Sequence, residues 1–213
     1  MIDIQFGQPP LHKMPILLKR GKAMFEDLVI KTRSIRNYSP DEKIEEGTLK
    51  KIVGITRYCP SSANLQPLKF RLVFEREECR KVFENIRYAG YYKTGTVPKK
   101  GHESKAYIII CNDKKIAPNT QNFLRDTGIV AQTMMLYACE QGIGGCMIGS
   151  FNEQAIKEEL KIGTDFDIML IISLGISDEV CEITEVENND VRYYEKDGIH
   201  YVPKRDPDEI IIK

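Results

Sequence analysis

The chain has 213 residues, 42% of them hydrophobic and 29% charged, which excludes a disordered polymer and leaves enough apolar surface for a core without disulfide staples. Its 31 Lys+Arg balance 31 Asp+Glu, so no charge excess draws it to nucleic acid or an anionic membrane. Its cysteines form no C-x-x-C pair and only three histidines occur, which argues against a zinc or iron–sulfur site.

Residues 1–23 contain Pro9, Pro10 and Pro15 and a late basic cluster, and read as an irregular N-terminal arm. Met24 opens a more regular pattern and is a candidate natural start. Residues 24–213 read as one domain. Phe25, Leu28 and Val29 share a face of a short helix over 24–32. Thr32-Arg33-Ser34-Ile35-Arg36-Asn37-Tyr38 then leads to the turn Ser39-Pro40-Asp41. A helix is expected over 45–58, with Leu49, Ile52, Val53 and Ile55 apolar.

Cys59-Pro60-Ser61-Ser62-Ala63-Asn64-Leu65-Gln66-Pro67 follows. Its prolines stop the helix, and its two hydroxyls and two amides suit a flat polar ligand. A plain capped loop has the same composition. Next come a strand over 68–75, a helix over 77–88, and a polar loop over 90–105 of the kind that covers sites. Residues 106–112 read as a buried strand, and 119–141 as the longest helix, apolar over much of its circumference.

Residues 142–151 (Gly-Ile-Gly-Gly-Cys-Met-Ile-Gly-Ser-Phe) read as a glycine-rich connection where backbone approaches a ligand closely, or as a helix stop at Gly142. Asn152 caps a helix to about 160, and Phe166 to Leu174 forms a strand covered on both faces. Asp197-Gly198 marks a hairpin, and Glu209-Ile210-Ile211-Ile212 a terminal strand in need of a sheet. The tail from about 186 to 213 reads as an arm crossing to a partner subunit. Helices and strands mix without regular βαβ alternation, which indicates α+β. The cysteines sit in apolar contexts and suit a reducing compartment. No apolar run reaches membrane-spanning length and the start lacks signal-peptide features, so the expected location is the cytoplasm.

Arg33-Ser34-Ile35-Arg36 offers two guanidiniums and a hydroxyl, a set that can grip phosphate; Lys204-Arg205 offers more positive charge. Solvated basic turns have the same composition. No nucleophile elbow, P-loop or H-E-x-x-H occurs.

Four segments in order carry a resemblance. Thr32–Tyr38 resembles the R-R-S-x-R-x-[FY] opening of the nitroreductase family. Pro60–Pro67 resembles its P-S-[SG]-x-N-x-Q-P-W, Asp126–Gln132 its D-x-G-[IA]-A-x-Q, and Gly142–Phe151 its G-L-G-x-C-x-I-G-x-F. The match covers roughly residues 24–176. Thr32 stands where the family has its first Arg, and Leu68 where it has Trp.

The resemblance implies an α+β fold with a central mixed, mostly antiparallel sheet flanked by helices. It also implies an interlocked homodimer with flavin mononucleotide (FMN) at the interface. Arg33, Ser34 and Arg36 would face the phosphate and pyrimidine side of FMN, and Lys204 and Arg205 the phosphate. Pro60, Ser61, Ser62 and Asn64 would meet the flavin held by the other subunit. Ile148 and Gly149 would lie against the ring, with a backbone N–H near N5. A cation at the pyrimidine end would stabilise a reduced flavin's negative charge, and no side chain need be catalytic. The implied activity is ping-pong reduction of a nitro compound or quinone by NADH or NADPH. Reductive dehalogenation, oxidative ring formation, or flavin binding without turnover are alternatives.

Overall fold

The computed structural model describes residues 23–88, 90 and 97–212. The expected arm, up to residue 22, and residues 91–96 of the expected polar loop lie outside the described residues. In chain order the elements are α1 Ala23–Lys31, α2 Glu46–Gly54, β1 Leu68–Val73, α3 Arg76–Glu84, β2 Ala106–Asp113, α4 Leu124–Glu140, β3 Gly144–Ile148, α5 Glu153–Leu160 and β4 Phe166–Gly175. After β4 come β5 Val180–Glu185, β6 Tyr194–Lys196, β7 Ile199–Lys204 and the single turn α6 Pro207–Ile210.

The uninterrupted apolar runs of β2 and β4 put them at the centre of a four-stranded sheet of order β1-β2-β4-β3. Every ladder of that sheet is antiparallel. Side-chain alternation divides the core in two. Ile108, Ile110, Ile172 and Leu174 meet Leu49 and Ile52 of α2 and Val130 and Met134 of α4. Tyr107, Ile109 and Ile171 face the other way, onto Val82 of α3 and Ile156 of α5. Each fully buried Ile or Leu contributes roughly 1.5–3 kcal/mol. Parallel pairing among the described residues occurs at a Ser34–Gly145 bridge beside β3 and between β5 and β7 in the second, three-stranded sheet β5-β7-β6. The hairpin at Asp197-Gly198 is present, with φ of 53° and 78°. No helix of the described residues is long and apolar enough to cross a membrane.

Two expectations are corrected. Residues 144–148 are a strand rather than a connection. A Cβ on Gly144 would sit 2.8 Å from Ile35 Cγ1, and one on Gly145 2.8 Å from the Ser173 carbonyl oxygen. These glycines are small because protein packs on them, not a ligand. Gly142 is the helix stop, at φ 77°, while Gly149 faces open space. The terminal isoleucines do not form a strand either. Asp206 accepts from the Asp208 N–H and Pro207 takes the first helical position, so residues 207–210 turn helically.

Candidate functional site

Residues 33–38 run as an extended strap beside β3. The Ile35 N–H donates to Gly145 O at 2.8 Å. Tyr38, fully buried, donates to Ile35 O at 2.6 Å, lies 2.8 Å from Ser173 Oγ, and rests on Gly175, where a Cβ would meet its ring at 2.6 Å. The segment after β4 clamps the strap. The Glu179 carboxylate accepts from the Arg36 N–H and from Asn37 Nδ2, and the Asp178 N–H donates to Asn37 O. The near end of the expected polar loop closes over it, with the Lys99 N–H donating to Asn37 Oδ1 and the Tyr38 N–H to His102 O.

The strap delivers Arg33, Ser34 and Arg36 to a cavity of about 630 Å³, whose far wall includes Lys204 and Arg205. Residues expected to act together thus meet across the length of the domain. Arg33 Nη2 donates to Val29 O at 2.8 Å, and Arg36 Nη1 to Ser34 O at 3.2 Å. The Nε atoms of both are buried without a hydrogen-bond partner. Arg36 is 9% exposed and lies 4.8 Å from the Tyr193 ring centre, a cation–π contact. Arg205 is tied to Glu209 Oε2 at 3.0 Å and Asn189 Oδ1 at 2.6 Å, and both it and Lys204 are exposed. Thr32, in the place of the family's first Arg, turns its hydroxyl back to Leu28 O.

Two lining residues escaped the sequence reading, Tyr193 and His200, whose rings lie 5.5 Å apart. The Arg192-Tyr193-Tyr194 flank of the hairpin was the available signal. Burial pushes the His200 imidazolium down from its ordinary value; Glu179 and Glu195 oppose the shift and Arg36 reinforces it. Burial raises the Cys146 thiol despite the pull of Arg36.

Pro60 and Ser61 line a different cavity, of about 360 Å³, between α2, β1 and α4. Here the two hydroxyls are already paired within the chain, as in the capped-loop alternative. Ser61 Oγ and Ser62 Oγ donate to the Asp126 carboxylate at 2.7 and 2.6 Å, and the Ser62 N–H does so at 2.8 Å. Ser61 Oγ also accepts from the Gln66 N–H at 3.1 Å, and Gln66 Nε2 donates to Asn64 Oδ1 at 3.2 Å. Ala63, Asn64 and Gln66 all have positive φ, at 51°, 55° and 52°. That conformation costs an L-residue roughly 1–2 kcal/mol, less for Asn, against about 1.5–3 kcal/mol for each bond to a charged group. Burial works to raise the Asp126 carboxyl, but the Ser62 and Ser61 bonds hold it below its ordinary value.

Ile148 is 3% exposed and its side chain belongs to the core, so only its backbone is available. β3 is an edge strand, bridged at Gly145 by the strap and beyond its end at Phe151 by Ile86. Gly145 O faces the strap; strand alternation turns Met147 and then Gly149 the same way, toward the unbridged stretch between. Within one chain the structure brings Arg33, Ser34, Arg36, Lys204 and Arg205 together. It keeps Pro60 and Ser61 apart from them in a second cavity.

The sequence profile described as the Nitroreductase family matches residues 29–176. The chain belongs to the nitroreductase family. A protein of Archaeoglobus fulgidus provisionally named NADH dehydrogenase/NAD(P)H nitroreductase is 25% identical over 178 residues, which cover 81% of this chain and 94% of that one. The FMN-dependent nitroreductase of Clostridium difficile R20291 is 27% identical, with a TM-score of 0.57 over 76% of this chain and 92% of its own. The nitroreductase family protein of Streptococcus pneumoniae TIGR4, 19% identical, shares the fold with a TM-score of 0.66 over 89% of this chain and 99% of its own. The architecture is therefore nitroreductase-like α+β.

Proposed function

We propose that this protein is an FMN-dependent oxidoreductase. It takes electrons from NADH or NADPH and reduces small aromatic acceptors, nitro compounds or quinones, by a ping-pong scheme in one shared pocket. One observation carries the reading. The cavity is lined by two guanidinium side chains, the half-buried Arg33 and the buried Arg36, whose buried Nε–H donors have no partner within the chain, an arrangement suited to an anion with several acceptor oxygens. FMN fits this donor set, with its phosphate met by Arg33, Ser34 and the exposed cations Lys204 and Arg205.

When bound, FMN supplies the reversible two-electron chemistry that links pyridine nucleotide to acceptor. The chain holds and tunes it. Arg36, fixed by Glu179 and Tyr193, puts a buried cation beside the pyrimidine end and favours the reduced, anionic form. The open edge of β3 at Ile148 and Gly149 offers backbone donors to the ring. The 60–64 loop meets the flavin of a second copy, so the working form is a homodimer. In support of that, Phe25 and Ile30 of α1, Leu124 of α4 and Leu65 are large apolar residues 49–68% exposed. The six free cysteines suit a reducing, cytoplasmic setting.

The test is to purify the protein and record its visible spectrum with and without anaerobic NADH or NADPH. Yellow absorbance that bleaches supports the proposal. A colourless protein that cannot be loaded with FMN overturns it. Bound FMN that neither nucleotide reduces redirects the reading to specialised flavin chemistry.

A further inference from the structure

We infer that Asp126 is a positioning residue for the flavin-facing loop. From the first turn of α4 it reaches back 64 residues of sequence and folds residues 61–66 into the shape that meets the cofactor. The inference rests on the FMN reading of the loop and adds the device that sets its geometry.

Asp126 is 3% exposed, and a buried charge persists only where donors surround it. Here three donors come from the loop, Ser61 Oγ, Ser62 Oγ and the Ser62 N–H, beside the backbone N–H of Asp126 itself. The start of α4 adds the positive end of a helix dipole. Because Ser61 Oγ gives its proton to Asp126, its lone pairs are left to accept the Gln66 N–H, and the loop is pinched shut between residues 61 and 66. Inside the pinch lie the left-handed Ala63 and Asn64, which an unclamped chain has no reason to hold. Ser62 and Asn64, with Ala63, Leu65 and Gln66, are exposed. The loop therefore meets a ligand with Asn64 and with backbone posed by Asp126, while its hydroxyls face inward.

The experiment compares FMN dissociation constants, by quenching of flavin fluorescence, and flavin midpoint potentials for the full chain. The variants are Asp126→Asn, the pair Ser61→Ala/Ser62→Ala, and all three together. Positioning predicts a roughly tenfold weaker FMN complex and a shifted potential in each of the first two, and no further loss in the triple variant, because both remove one clamp. Wild-type affinity and potential in Asp126→Asn, or losses that multiply in the triple variant, overturn the inference. If Asp126→Asn does not fold, the serine pair decides alone: unchanged affinity and potential overturn it. A wild-type protein that takes up no FMN overturns the parent reading and this assignment together, whereas wild-type uptake with an unaffected Asp126→Asn overturns the clamp alone.

Discussion

Arg33 and Arg36 line a cavity and each keeps a buried Nε–H without a partner, while the hydroxyls of Ser61 and Ser62 face inward and are taken by Asp126. The first region can recognise charge with side chains. The second can present only a shape, a backbone held left-handed with Asn64 at its tip. The same ligand would thus be gripped by charge on one side and by conformation on the other. Substitutions in the two regions should fail in different ways.

The largest expected effect lies on the charged side. Arg36→Ala removes a buried guanidinium with an unmet donor, worth about 1.5–3 kcal/mol when it bonds an anion or polar ligand. FMN affinity should fall roughly 10- to 150-fold, read by fluorescence titration at fixed salt. Arg36→Lys should recover little, since the delocalised guanidinium that lies 4.8 Å from the Tyr193 ring centre and its fork of donors are lost. A change under about threefold would show that the donors are not aimed at the ligand.

On the loop side, Asn64→Ala leaves the Asp126 clamp in place and removes one amide. A single neutral hydrogen bond, about 0.5–1.5 kcal/mol, predicts FMN binding weaker by roughly two- to twelvefold. On the proposal that the loop serves a second copy, dilution that dissociates the dimer should release the flavin. A stable monomer that keeps FMN at full affinity would leave this region without a ligand role.

What could be read from the sequence follows the same division. Strands β2 and β4 are legible because continuous apolar runs advertise themselves locally. β3 is not, because Gly144 and Gly145 look like a loop until Ile35 and the Ser173 carbonyl, distant in sequence, are packed on them. β5 alternates only weakly and exists because β7 pairs with it. The terminal Ile run has strand character, but Asp206-Pro207 ahead of it starts a helical turn. In the site, the cations were legible by residue type. Their common site was implied by the family resemblance, but the Tyr193 contact and the inward turn of Ser61 and Ser62 were not legible, since each depends on a partner far along the chain.

Acid should also separate the two regions. The folded His200 has a pKa below its ordinary 6.5, so the unfolded chain binds the extra proton first. Stability contributed there is complete above about pH 6.5 and declines as pH falls through that value. Asp126 is likewise depressed below its ordinary 3.8, so its contribution is complete above that value and is lost only on further acidification. Thermal unfolding of flavin-free protein should therefore show a first loss below about pH 6.5 that His200→Asn removes, and a second, deeper in acid, that Asp126→Asn reduces while the depressed Asp167 and Glu159 keep their share. A single transition untouched by His200→Asn would mean that the imidazole is not held neutral by its burial beside Arg36.

The smallest effect separates cations within the charged region itself. Lys204 is exposed and Arg205 is already paired with Glu209. An exposed charge contributes about 0–1 kcal/mol, so Lys204→Ala should weaken FMN by no more than about fivefold. It should also do so in a salt-dependent way, because charges in contact with solvent are screened within about 10 Å at 0.1 M salt. Raising salt toward 0.5 M should close the gap between Lys204→Ala and wild type. The gap for Arg36→Ala should persist, since that guanidinium is 9% exposed and acts through a directed bond. If both gaps close together, Arg36 acts as a diffuse charge like Lys204, and the distinction between a built receptor and a basic rim disappears.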